Sequence, residues 1–137
     1  MLASERAAIG GGTSGRSVTQ LVALARQLGR TDEPTARQLL AAAVIREGVL
    51  DLLVARVASP GIVPAGGSVT KLLYSEHARV TSDAAMELLG AAATVVDPAA
   101  SDPWIERFLF APGLRIGGGT DEMQRNAIGE RGLGLPR

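Results

Sequence analysis

The 137 residues predict an all-α fold, an antiparallel up-down four-helix bundle with a short extra C-terminal helix, on three observations. Apolar residues recur at spacings of three, four and seven over long stretches, the period of a helix with one buried face. No segment alternates apolar and polar residues with the period of two that a half-buried strand requires. Glycine and proline clusters separate the periodic stretches, leaving loops short enough to make successive helices antiparallel neighbours. Hydrophobic residues make up 46% of the chain and aromatics 3%, so a real core is available and must be built from Leu, Val, Ile and Ala.

The opening Met1 to Ile9 reads as part of a helix without a cap of its own. Leu2 and Ile9 are seven apart on one face, with Glu5 and Arg6 between them. Gly10 to Gly15 interrupts this helix, which resumes near Arg16 with Val18, Leu21, Val22, Ala25 and Leu28 in phase and stops at Gly29. Asp32 is the candidate N-cap of the next helix, and Pro34 lies near its first turn, where a missing N–H costs nothing. Leu39, Ala43, Leu50, Leu53 and Val57 carry that helix to Ser59-Pro60-Gly61. Residues 62–67 form a loop, and Ser68 is a candidate cap for a helix striped by Leu73, His77, Val80, Ala84 and Leu88 as far as Gly90. Asp97-Pro98 and Asp102-Pro103 mark a connector. A short helix over Trp104 to Phe110 follows, closed by Pro112-Gly113. Three glycines, Gly117, Gly118 and Gly119, then let the backbone come close to something bulky. Thr120 can cap a final helix whose first turn carries Asp121 and Glu122, suited to the positive end of the dipole.

Charge balances at 14 basic against 14 acidic residues, so neither a nucleic-acid nor a membrane partner is expected. There is no cysteine, which excludes disulfides and thiolate metal sites. No apolar run approaches the roughly 18 residues of a membrane span and no signal peptide is visible, so a soluble, cytoplasmic protein is expected. His77 reads as a core or interface histidine because no Ser, Cys or second His pairs with it in the pattern. Trp104, Phe108 and Phe110 read as core plugs, Arg46/Glu47 and Glu130/Arg131 as helix-surface charges, and no metal site is expected.

The run from Ile116 to Arg137 (IGGGTDEMQRNAIGERGLGLPR) resembles the C-terminal signature of the acyl-CoA dehydrogenases, close to G-G-T-x-E-I-Q-R-N-I-I-A-E-R-x-L-G-L-P-R. The likeness extends to Leu2-Ala-Ser-Glu-Arg6, to Lys71-Leu-Leu-Tyr-Ser-Glu76, to Ala85-Met-Glu-Leu-Leu-Gly90 and, in spacing, to Gly29-Arg-Thr-Asp-Glu-Pro34. It covers nearly all of the chain but only the last third of the family's usual length. The expectation is therefore one C-terminal helical domain over 1–137, truncated ahead of Met1, with the family's N-terminal helical and β-domains absent.

The resemblance implies FAD-dependent α,β-dehydrogenation of an acyl-CoA thioester, in which a carboxylate takes the α-proton and hydride passes to the flavin. Most of the family places that base just before the Gly-Thr of the signature, and here the position is Gly118. A branch resembling isovaleryl-CoA dehydrogenase uses instead a Glu in an L-x-x-E-R pattern on the first helix of this domain, which makes Glu5 the candidate base and gives Arg6 a structural or substrate-side role. In the family the glycine run lies against the flavin, so Gly117, Gly118, Gly119, Thr120 and Glu122 are the candidate cofactor contacts, although the run also suits a plain helix–helix turn. Arg26 stands one place away from a family Arg that reaches a neighbouring subunit's FAD, and Gly90 is what remains of a Gln-x-x-Gly-Gly-x-Gly stretch. A homo- or hetero-oligomer, dimer or tetramer, is implied, with weak or no FAD binding and no turnover by the chain alone. The alternative is a non-catalytic subunit or assembly module of a heteromeric acyl-CoA dehydrogenase.

Overall fold

The computed structural model of the chain describes residues 14–59, 63–95 and 103–136. Helix α1 spans Ser14–Gln27, α2 Pro34–Ala58, α3 Gly66–Leu89, α4 Pro103–Ile116 and α5 Asp121–Ala127, with a 3-10 turn at Gly90–Thr94 and a π-turn at Ile128–Gly132. Among the described residues every regular element is helical. The fold is the expected bundle of four longer helices with a short one after it.

α3 is the central helix, packed on α1, α2, α4 and α5. One face, with His77, Thr81, Ala84 and Leu88, turns toward α1 and α2, where Val18, Leu21, Leu24, Ala25, Ala36 and Ala43 complete the core. A second face, with Ser68, Lys71, Ser75 and Ser82, is buried as well. A helix covered on two sides cannot show a single apolar stripe. The expected stripe through Leu73 and Val80 therefore describes only part of what α3 buries.

Antiparallel order is visible at the ends. The guanidinium of Arg30, in the α1–α2 turn, donates to the carbonyls of Glu87 and Leu88 at 3.1 and 2.6 Å. The last turn of α3 thus returns to the first connection of the bundle, and some of its orphan carbonyls find a cationic partner. At the other end Gly66 meets α2 so closely that a β-carbon there would lie 3.0 Å from Val57.

Three boundaries differ from the sequence expectation. Glu33, not Asp32, is the N-cap of α2, without a side-chain cap bond, and Pro34 takes the first helical position. Ser68 lies inside α3, which begins at Gly66 after Ala65 in the left-handed region (φ 55°). α4 does not stop before Pro112-Gly113 but runs through them to Ile116. Pro112 removes one helical N–H, yet the helix continues; ahead of it Trp104 and Ala111, seven apart and both buried, hold the face against α3. Trp104 is buried as expected, whereas Phe108 and Phe110 are 41% and 64% exposed rather than core plugs.

Candidate functional site

The glycine run is a closed turn between α4 and α5. The Gly117 N–H donates to Gly113 at 2.9 Å and that of Gly119 to Ile116 at 3.2 Å, which ends α4. Gly118 (φ 66°) and Gly119 (φ 103°) then take conformations that residues with a β-carbon rarely adopt. Thr120 is the N-cap, as expected: its hydroxyl accepts from the Met123 N–H at 3.3 Å, and its carbonyl from the Gln124 N–H at 3.0 Å. The Gln124 carboxamide is fully buried beneath the turn and donates to the carbonyls of Gly118 and Gly119, both at 3.0 Å. Its Oε1 is buried with no hydrogen-bond partner among the described residues.

Asp121 does more than complement a helix dipole. Its buried carboxylate accepts from Arg115 Nε at 2.6 Å and Lys71 Nζ at 3.3 Å, with the Ser75 hydroxyl at 3.4 Å. Lys71, wholly out of water, also donates to the Arg115 carbonyl at 3.0 Å. Burial works against ionisation of Asp121, but hydrogen bonds and charge from Arg115 and Lys71 outweigh it and hold the carboxyl below its ordinary range. Lys71, Ser75, Arg115 and Gln124 were not singled out from the sequence. The available signal was a Lys and a Ser four apart among apolar neighbours, a spacing that puts both on one helix face.

Glu122, by contrast, is open to solvent. Its carboxylate is lowered by a hydrogen bond from its own backbone N–H and another from the Thr120 hydroxyl, and it makes a loose pair with Arg125 at 3.8 Å.

The structure brings Gly117, Gly118, Gly119, Thr120 and Glu122 together and sets Gly90 and Arg26 apart from them. Gly90 (φ 60°) caps the far end of α3, separated from Lys71 by roughly 28 Å at 1.5 Å per helical residue. Arg26 is exposed in the last turn of α1, beside a shallow depression with Val22, Thr31 and Arg37, at the end of the bundle where Arg30 meets α3. Glu5 and Arg6 lie outside the described residues.

A second polar cluster keeps His77 in the core, as expected, but overturns the reason given for it and the reading of Glu47 as a surface charge. Ser17 does pair with His77, its hydroxyl 2.9 Å from Nε2, and donates to Glu47 Oε1 at 3.2 Å. Glu47 is therefore not a surface charge: burial pushes its carboxyl up, against hydrogen bonds from Ser17 and the Val18 N–H. With the Ser17 proton committed to Glu47, the hydroxyl accepts from Nε2–H of a neutral imidazole. The arrangement is not a nucleophile triad. There the acid orients the other ring nitrogen, whereas Glu47 lies 3.8 Å from this one and Nδ1 is buried without a partner among the described residues. Among those residues, too, no group of three His, Cys, Asp or Glu side chains could hold a metal, and no helix is long and apolar enough to cross a membrane.

Comparison with known proteins gives this turn a family. A model of the acyl-CoA dehydrogenase C-terminal domain matches residues 1–133. The acyl-CoA dehydrogenase IpdE1 of Mycobacterium tuberculosis is 33% identical over 124 residues, 89% of this chain and 32% of that protein. Its namesake from Mycolicibacterium smegmatis is 33% identical over 123 residues, 89% of this chain and 31% of that protein. The chain thus spans about a third of the length of these curated relatives. In the crystal structure of the ChsE4–ChsE5 complex from Mycobacterium tuberculosis, a chain superposes with a TM-score of 0.74 at 31% identity, covering 88% of this chain and 36% of that one. With a helical bundle, a capped glycine turn and a family match over nearly its whole length, the chain belongs to the acyl-CoA dehydrogenase family and corresponds to its C-terminal helical domain.

Proposed function

We propose that the chain serves FAD-dependent α,β-dehydrogenation of an acyl-CoA thioester, presenting its glycine turn to the flavin. The observation that carries this is the turn itself. Two left-handed glycines and the Thr120 cap are held from below by Gln124, in a chain matched to the family over residues 1–133. The residues fit a flavin: Gly117, Gly119 and Thr120 are half-buried, and no β-carbon projects from the glycines to keep a flat ring system away.

When bound, FAD supplies the hydride acceptor. Gly118 has no group that takes a proton, and the resemblance of Leu2-Ala-Ser-Glu5-Arg6 to the pattern of the isovaleryl-CoA dehydrogenase branch makes Glu5 the proposed base. A carboxylate buried beside an acyl chain has its pKa raised toward the value needed to remove an α-proton. Arg6, the next residue in the sequence, takes the structural or substrate-side role that the resemblance gives it.

Assembly belongs to the same proposal. α2 exposes Val44, Ile45, Val49 and Leu52 along its outer side, a face suited to another subunit. Gly90 and Arg26, at the far end of the bundle from the glycine turn, then serve a neighbouring subunit's cofactor. Two observations favour a second possibility, a non-catalytic partner in a hetero-oligomer: the glycine at 118, and the likeness to a chain of a complex between two named proteins.

The deciding experiment compares wild type and Glu5→Gln in the intact gene product, reading FAD content and acyl-CoA-driven flavin bleaching. Flavin in both proteins, with bleaching lost only in Glu5→Gln, supports Glu5 as the base. Equal bleaching moves the base to a partner subunit. Absence of flavin from both leaves only the assembly role.

A further inference from the structure

The Lys71 ammonium has no stability argument in its favour. A cation taken wholly out of water is costly, and an apolar side chain of similar volume is often as stable or more so in such a place. What the ammonium does is geometric. It binds the Arg115 carbonyl at 3.0 Å, just before the glycine turn, and the Asp121 carboxylate at 3.3 Å, just after it. Both ends of the segment 116–120 are thereby fastened to one point on α3. Ser75, one helical turn on, adds its hydroxyl to the same carboxylate oxygen at 3.4 Å.

The Arg115–Asp121 pair is different in kind. It joins α4 to α5 across the turn and does not involve α3. Without Lys71, Asp121 keeps a cationic partner and the turn keeps its local shape through Thr120 and Gln124. What it loses is the ammonium that ties both sides of the turn to the central helix, which leaves its registration there to packing and to the longer Ser75 bond on Asp121 alone.

We propose that Lys71 is the positioning residue of the cofactor-facing turn, holding residues 117–120 at a fixed place on α3 for the flavin. This rests on the proposed function, since the turn must face a flavin for its placement to matter.

The test uses the intact gene product as wild type, Lys71→Met, Asp121→Asn and the double variant. It reads the FAD dissociation constant, deuterium uptake across 114–124 and the melting temperature. Lys71→Met is expected to weaken FAD binding about ten-fold or more, as a misplacement of about 1 Å does to a preorganised site. It should speed exchange at 117–120 while leaving exchange at 84–88 as in wild type. Adding Asp121→Asn should not restore binding, because the lost tether rather than a stranded carboxylate is responsible. FAD affinity within about two-fold of wild type, unchanged exchange at the turn, or recovery in the double variant would each overturn the proposal. A wild type that takes no flavin would overturn the proposed function, and with it the cofactor role of Lys71. Faster exchange at 117–120 in Lys71→Met would then show the tether alone. Should Lys71→Met fail to fold, Lys71→Gln, which keeps one donor group, carries the same expectations.

Discussion

The Ser17 hydroxyl stands 2.9 Å from Nε2 of His77 and passes its own hydrogen bond to Glu47, so α1, α2 and α3 meet at one buried polar point. Elsewhere the contacts among these helices are mainly Leu, Ala and Val, which specify that faces meet but tolerate sliding. A directed bond between three side chains fixes the register of all three helices.

That cluster makes stability depend on pH. Burial holds the His77 imidazole below its ordinary value of 6.5; Arg46 adds to the effect and Asp51 opposes it. With the folded value below the unfolded one, this contribution is complete above about pH 6.5 and is lost as pH falls below it, because the unfolded chain takes up the proton first. Glu47 is shifted upward by burial and works in the opposite sense, gaining its proton more readily in the folded chain. The melting temperature should therefore fall less steeply below pH 6.5 in His77→Gln than in wild type, and more steeply as pH approaches 4.5, the ordinary value of a Glu, in Glu47→Gln. Parallel curves for His77→Gln and wild type would exclude the imidazole as the cause.

Asp121→Ala should cost about 3 kcal/mol or more, since it leaves the fully buried Lys71 ammonium without its carboxylate. Urea unfolding followed by circular dichroism measures it. The carboxyl is held below its ordinary 3.8, so the stability it confers is present above that value and is lost as pH falls further. The variant should lack that acid limb.

Gly118→Ala places a β-carbon at φ 66° and should destabilise by about 1–2 kcal/mol. Thr120→Ala removes the α5 cap and should cost about 1 kcal/mol. Thermal unfolding of the two single variants separates backbone strain from capping, and a neutral Gly118→Ala would mean that the turn relaxes.

Leu52, 74% exposed on α2, sits on the face assigned to a neighbouring subunit. Leu52→Arg should convert an oligomer to a smaller species in light scattering after size exclusion, with helicity retained. An unchanged mass would place the interface elsewhere.

The helical period, the glycine and proline breaks and the Thr120 cap are local features, and local features are what a chain displays in its own order. They determined the helix count, most boundaries, the turn at 117–120 and the family signature. Even the failures at Asp32 and Ser68 are failures of one cap against another within a few residues. The partnerships of Lys71 with Asp121, of Ser17 with His77 and of Arg30 with the end of α3 join residues 50, 60 and 57–58 positions apart. Nothing in the spacing of one segment says which distant segment will face it. Nor does it say that α3, covered on two sides, will bury a Lys and three Ser as well as its apolar stripe. Packing also carried α4 through Pro112 and left Phe108 and Phe110 exposed. The sequence by itself determined the elements and their kinship, because those depend on neighbours along the chain. Only the tertiary structure decided which polar groups are buried together, because desolvation and pairing depend on neighbours in space.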